Sequence, residues 1–203
     1  MIKIEFFFDI SSPWTYLAFS QIETLARRHQ AELVYRPIIV GGVFNEVNTQ
    51  IYETRATLDG PKLAYQLKDL QDWADLYGLK IKWPDVFPLH AVQLMRGALV
   101  ALDAGCLQDY AKLAFEAYWG EGKDLSQLVQ LTPIAEAVGL DGADFETKIA
   151  EPALKARLRA NTDELIARGG FGSPTLFLNE TNMFFGNDRM HLLDAILQKG
   201  NNQ

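Results

Sequence analysis

The apolar positions of this chain run first at strand spacing, then at helix spacing, then at strand spacing again. Ile2 to Phe8 carries Ile2, Ile4 and then Phe6-Phe7-Phe8 before breaking at Asp9, the pattern of a strand. From Pro13 to about His29 the apolar residues Trp14, Leu17, Ala18, Ile22, Leu25 and Ala26 recur at helical intervals. Ala31 to Ile39 is rich in strand formers (Leu33, Val34, Tyr35, Ile38, Ile39) and predicts a second strand. Strand, helix and strand at these lengths make a βαβ unit with parallel strands and a right-handed crossover.

After Gly41-Gly42 the pattern is helical from about Lys62 to Arg168. Lys62–Tyr77 stops at Gly78, Leu89–Ala104 at Gly105, and Gln108–Trp119 before Gly120. Thr132-Pro133 predicts a further helix start, ended by Gly139, and Phe145–Ile149 and Leu154–Ala167 predict two more. Between Gly42 and Lys62, with Asn45, Asn48, Thr49 and Gln50, there is no clear period, which reads as a long connection at the edge of an active site. Strand character returns at Pro174–Asn179, followed by a turn around Glu180-Thr181-Asn182, then Met183-Phe184-Phe185. Gly186-Asn187-Asp188 opens a last helix through Gln198. The expected architecture is an α/β sheet whose βαβ and ββα halves are separated by a large all-helical insertion. Residues 1–42 and 169–203 would form one discontinuous domain, and residues 43–168 the insertion with the active-site loop.

Composition narrows the partners. The 203 residues carry 19 basic and 26 acidic side chains, a net charge of -7, scattered along the chain. That argues against a nucleic-acid backbone or an anionic membrane as partner. The N-terminal run reaches Asp9 without a small-residue cleavage site, so no signal peptide is expected, and no stretch approaches a membrane span. The single cysteine, Cys106, points to a cytoplasmic protein with the thiol as core filler. No metal-ligand spacing and no phosphate-loop spacing occurs.

The candidate chemistry lies where the first strand meets the first helix. Ser12-Pro13 reads as an N-cap followed by proline at N1, a common way to start any helix. Pro174, after Phe171-Gly172-Ser173, immediately precedes a strand. Taken with Asp9-x-x-Ser12-Pro13-x-x-Tyr16-Leu17-Ala18, Trp119-Gly120-Glu121-Gly122 and Phe185-Gly186-Asn187-Asp188-Arg189, it carries a resemblance across the whole chain. The chain resembles the 2-hydroxychromene-2-carboxylate isomerase / kappa-class glutathione transferase family, a branch of the DsbA-like thioredoxin superfamily.

The resemblance implies a thioredoxin-like fold with a cis-proline at Pro174. It also implies a cytoplasmic homodimer that uses glutathione as its cofactor, together with a small electrophilic aromatic substrate, and takes part in aromatic compound catabolism. Dithiol exchange is excluded, because Ser12-Pro13-Trp14-Thr15 stands where thioredoxin-type enzymes carry Cys-x-x-Cys. Ser12 is implied to be the catalytic residue, its hydroxyl holding the glutathione sulfur as thiolate at a helix N-terminus. Ser173 is implied to pair its backbone with the cysteinyl unit beside Pro174, a role its side chain should hardly affect. Asn187 and Asp188 are implied to grip the γ-glutamyl end. The chain departs from the family at two places. The Gly-Asn dipeptide expected after the second strand is missing, leaving Asn48 as the preferred counterpart and Asn45 as the runner-up. Phe87-Pro88-Leu89-His90-Ala91 stands where the family often carries Asn-Ser, a departure that bears on second-substrate specificity; the expected second-substrate pocket is Trp14, Phe44, His90 and Trp119. A glutathione-dependent isomerase is the leading reading, a kappa-like transferase the alternative, and a non-catalytic peptide-binding module the contrasting class.

Overall fold

In the computed structural model, residues 1–200 are described, the Arg55 side chain excepted. The predicted first domain runs to residue 203, so its last three residues lie outside this range. The chain order is β1 (Lys3–Phe8), α1 (Pro13–Arg28), β2 (Glu32–Pro37), α2 (Val40–Val47), α3 (Gln50–Thr57), α4 (Gly60–Tyr77), α5 (Val92–Asp103) and α6 (Leu107–Phe115). A π-helical turn at Glu116–Gly120 leads to α7 (Leu128–Ala137), α8 (Gly142–Ala150) and α9 (Pro152–Ala167). The chain closes with β3 (Thr175–Leu178), β4 (Asn182–Phe185), a 3-10 turn at Asn187–Arg189 and α10 (Met190–Gly200).

The strands form one sheet in the order β2-β1-β3-β4. β1 pairs parallel with β2 across the α1 crossover, whereas β3 pairs antiparallel with β1 and β4. This is the expected thioredoxin-like arrangement, with α2 to α9 inserted between β2 and β3. β1 is central and therefore covered on both faces, which is why Phe6-Phe7-Phe8 are consecutive apolar residues rather than an alternation. Ile4, Phe6 and Phe8 enter the main core with residues of α1, α5, α6 and α10. Phe7 faces the other way, against Ile38, Val43, Leu165 and Phe177. Glu5 shares that second face, only 2% exposed, and is paired by Arg168 at 2.7 Å and Arg36 at 3.1 Å.

Two expectations fail here for physical reasons. The aperiodic stretch after Gly42 is not a plain connection, since it contains α2 and α3. Ile39 caps α2 without a side-chain bond, and the cap is supplied from β1's end, where Asp9 Oδ2 accepts the Val40 N–H at 2.8 Å. A cap borrowed across 31 residues leaves no local signature. Thr132-Pro133 does not start a helix either. α7 begins at Leu128, Pro133 lies inside it, and the Thr132 hydroxyl lies 2.7 Å from Glu146 Oε1 and 3.2 Å from the Leu128 carbonyl, with one proton to give to either. Burial of Leu131 and Ala135 on one face holds the early turn in place. α5 also starts three residues later than predicted, at Val92, with Leu89 and Ala91 buried ahead of it.

Candidate active site

β1 ends in a carboxylate that organises the segments around the helix start. Asp9 is 1% exposed; its Oδ1 accepts the Ser11 N–H at 2.9 Å and its Oδ2 the Val40 N–H. Its own backbone N–H donates to Ser173 Oγ at 2.9 Å. One residue thereby ties together the approach to α1, the first turn of α2 and the loop before β3. Burial pushes the Asp9 carboxyl above its ordinary value, against the opposing hydrogen bonds from Val40 and Ser11.

Ser12 is the N-cap of α1, in extended backbone geometry, with Oγ accepting the Thr15 N–H at 3.3 Å. Its hydroxyl also donates to the Ser173 carbonyl at 3.2 Å. Thr15 N–H and Tyr16 N–H reach back to the Ser12 carbonyl, both at 3.1 Å, and Pro13 has no N–H. Trp14 N–H is thus the first-turn donor that Ser12 does not take. A half-buried hydroxyl, a backbone N–H and the positive end of a helix dipole converge at one place, which suits a localised anion.

Ser173–Pro174 is a cis bond, as the motif implied. The expectation that the Ser173 side chain would hardly matter is corrected. Ser173 is 7% exposed, and besides accepting from Asp9 N–H its Oγ pairs with Thr15 Oγ1 at 2.8 Å. Its hydroxyl therefore stitches this loop to both the end of β1 and the first turn of α1. Gly172, just before it, holds Phe185 of β4 where a side chain would stand: a Cβ there would lie 2.7 Å from that ring.

The structure brings Asn48 to this loop, its Nδ2 donating to the Phe171 carbonyl at 3.2 Å, whereas Asn45 accepts from the Tyr52 hydroxyl at 2.8 Å. Asn187 and Asp188 lie in the 3-10 turn beside α1, joined to the Pro174 carbonyl through the Gly186 N–H at 3.1 Å. Asn187 is 3% exposed and its Nδ2 has no partner within hydrogen-bond distance. Its side chain is still close enough to the Tyr77 phenol to oppose the upward push that burial gives that hydroxyl. Asp188 is exposed and pairs with Arg189 at 2.7 Å.

Of the expected aromatic pocket, Trp14 is half-buried against the cluster of Leu17, Leu70 and Ala74, and Phe44 is buried on α2. His90 is exposed in the coil before α5. Trp119 is fully buried and acts from behind, its indole N–H donating to the Ile10 carbonyl at 2.9 Å. Sequence reasoning missed Trp83, which is 47% exposed and packs edge-on against Trp119 at 5.7 Å and beside Phe87 at 4.9 Å. It also missed Asp9 and Thr15 as positioning residues. Their signals were an acid closing an apolar strand and a hydroxyl at the fourth position of Ser12-x-x-Thr15.

A thioredoxin-like sheet with a hydroxyl at the helix start, facing a cis-proline loop, defines the class. The DSBA-like thioredoxin domain matches residues 3–198, and the chain belongs to that family. Among its relatives, 2-hydroxychromene-2-carboxylate isomerase of Sphingobium xenophagum is 30% identical over 200 residues, 96% of this chain and 97% of that one. Glutathione S-transferase kappa 1 of Rattus norvegicus is 26% identical, covering 96% of this chain and 90% of its own length. A solved structure of 2-hydroxychromene-2-carboxylate isomerase superposes with a TM-score of 0.81 at 27% identity, over 97% of this chain and 95% of that one. The resemblance carried by the motifs is borne out, and it places the chain among enzymes of this kind. No helix among the described residues is long and apolar enough to cross a membrane.

Proposed function

We propose that the protein is a glutathione-dependent isomerase acting on 2-hydroxychromene-2-carboxylate or a close analogue. The observation that carries this reading is the Ser12 hydroxyl, capping α1 and 3.2 Å from the Ser173 carbonyl, in a chain with hydroxyls at both dithiol positions. When bound, glutathione supplies a thiolate that adds reversibly to a conjugated aromatic acid and frees a bond to rotate.

The chain's own groups suit that cofactor. Ser12 Oγ–H and Trp14 N–H donate to the negative sulfur, and helix N-termini lower thiol pKa values from about 8.5 to roughly 3.5–7.5. The Ser173 carbonyl accepts the cysteinyl N–H, and Asn48 steadies the loop through Phe171. The unpartnered Asn187 amide suits the γ-glutamyl carboxylate, and the exposed Asp188 suits its ammonium. Trp14, Phe44 and Trp83, the last seated on buried Trp119, would wall the aromatic substrate.

Turnover of 2-hydroxychromene-2-carboxylate with and without glutathione tests the reading. Isomer formation that requires glutathione and leaves it unconsumed is the expected result. Turnover independent of glutathione overturns the reading, and stoichiometric consumption of the thiol into an adduct replaces it with a transferase.

A further inference from the structure

Trp119 lies in the π-helical turn after α6, fully buried, and its two polar groups reach in different directions. The indole N–H donates to the Ile10 carbonyl at 2.9 Å. Its main-chain carbonyl accepts the Lys82 N–H at 2.6 Å. Ile10 is a central residue of the turn that leads into α1, closed by the Ser12 N–H on the Asp9 carbonyl at 3.2 Å. Its own N–H is taken from another side, by Met95 Sδ of α5 at 3.3 Å. Both main-chain polar groups of that turn residue are thus held by side chains of the helical insertion. Lys82 is followed by Trp83, whose ring meets Trp119 edge-on at 5.7 Å. Single π turns recur at functional sites. In this one the neighbouring Tyr118 and Trp119 donate to separate segments, Tyr118 to the Val86 carbonyl and Trp119 to that of Ile10, each at 2.9 Å.

We propose that Trp119 is a positioning residue that holds the start of α1 and the aromatic wall in register, so that a conjugated acid lying on Trp83 meets the sulfur held at Ser12. The inference rests on the glutathione reading above and extends it from the groups that touch the ligand to the one that sets their spacing. Ser12 follows Ile10 by two residues and Trp83 follows Lys82 by one, so a single buried residue spans from the helix start to the exposed ring. Addition of a thiolate to a conjugated carbon needs the reacting atoms about 3–3.5 Å apart, and a misplacement of about 1 Å costs about 100-fold in rate. Removing the indole N–H leaves the buried Ile10 carbonyl without its donor and loosens the turn before Ser12, while the stacking surface of Trp83 stays in place.

The test follows turnover of 2-hydroxychromene-2-carboxylate with glutathione, and the thiol pKa of saturating glutathione by ultraviolet absorbance, on wild type, Trp119→Phe, Met95→Leu and Trp83→Ala. Trp119→Phe is expected to lower kcat about 10- to 100-fold, with KM for the acid within about twofold of wild type. It should also raise the thiol pKa of bound glutathione by about half a unit to one unit. Met95→Leu is a near-isosteric swap that cores tolerate, and it frees the Ile10 N–H instead. It should move kcat and the thiol pKa in the same directions by smaller amounts, which keeps the comparison if Trp119→Phe does not fold. Trp83→Ala should raise KM for the acid and leave the thiol pKa at its wild-type value. A lowered melting temperature with kcat and thiol pKa unchanged, in whichever of the two Ile10-loosening variants folds, overturns the proposal and leaves Trp119 as packing alone. A raised KM with kcat unchanged in Trp119→Phe overturns it too, because Trp119 would then belong to the wall. If glutathione neither raises the melting temperature of wild type nor is needed for its turnover, the glutathione reading itself fails.

Discussion

Thr15 Oγ1 and Ser173 Oγ, both on buried residues, meet at 2.8 Å and join the first turn of α1 to the loop before β3. The two residues are 158 positions apart, and their contact joins the segments that carry the Ser12 hydroxyl and the Ser173 carbonyl, the two groups proposed to meet the ligand. Ser173→Ala should cost more than Thr15→Val, because it also leaves the buried Asp9 N–H without an acceptor. The expected losses are about 2–3 and about 1 kcal/mol respectively. A double-mutant cycle by urea unfolding should return a coupling of about 0.5–1.5 kcal/mol. Additive losses would mean that the two hydroxyls do not bond.

At Asp9 burial of a carboxyl and hydrogen bonding act together. Both carboxylate oxygens face backbone N–H groups, so Asp9→Asn must turn its amide NH₂ toward either Ser11 N–H or Val40 N–H. The variant should lose about 1–3 kcal/mol in chemical denaturation. Amide exchange at Val40 or Ser11 should accelerate with it, since α2 has no side-chain cap of its own.

Glu5 governs the acid limb of the stability curve. Burial pushes its carboxyl up, but hydrogen bonds from Arg168 and Arg36 outweigh this and hold it below the ordinary value of 4.5. A carboxyl lowered in the folded state stabilises above its unfolded pKa, and that stabilisation is lost as pH falls through the lowered value. Wild type should therefore lose stability below about pH 4.5, and Glu5→Gln should flatten that limb. Near neutral pH the substitution should cost about 2–3 kcal/mol, discounted for arginines that are 19% and 31% exposed. Melting temperatures from pH 3 to 7, compared between the two proteins, check both signs (about one unit per step is sufficient resolution).

Gly186 enters the last turn with φ 100° and ψ 156°, a region essentially confined to glycine. A Cβ there would also lie 2.7 Å from Asp188 Oδ1. Gly186→Ala should cost about 1–3 kcal/mol and displace Asp188. Thermal unfolding and glutathione calorimetry should both register it, and unchanged values in both would refute the steric argument.

The two loop asparagines separate by their partners. Asn48→Ala removes the bond to the Phe171 carbonyl and should weaken glutathione binding about tenfold, about 1.4 kcal/mol. Asn45→Ala breaks only an exposed bond to Tyr52 and should leave affinity near wild type. The reverse order in calorimetry would make Asn45 the contact.

Much of this protein was determined by sequence alone, because the signals were local. A central strand covered on both faces favours apolar residues, a serine N-cap with proline at N1 favours a helix start, and these forces act within a few residues at Phe6 to Phe8 and at Ser12-Pro13. The fold class and the helix that presents Ser12 follow from them. Tertiary structure decided everything built from partners far apart in the chain. The helix at Val40 exists because Asp9 caps it from another element, and Thr132-Pro133 continues a helix because Leu131 and Ala135 bury the turn. Trp119 reads as a pocket wall in sequence, yet it is sealed behind Trp83 and holds the Ile10 carbonyl. The side chain of Ser173 acquires its role only where Asp9 and Thr15 converge on it. A hydrogen bond carries no period along the chain, so the residues that aim the site become visible only when the chain has closed around them.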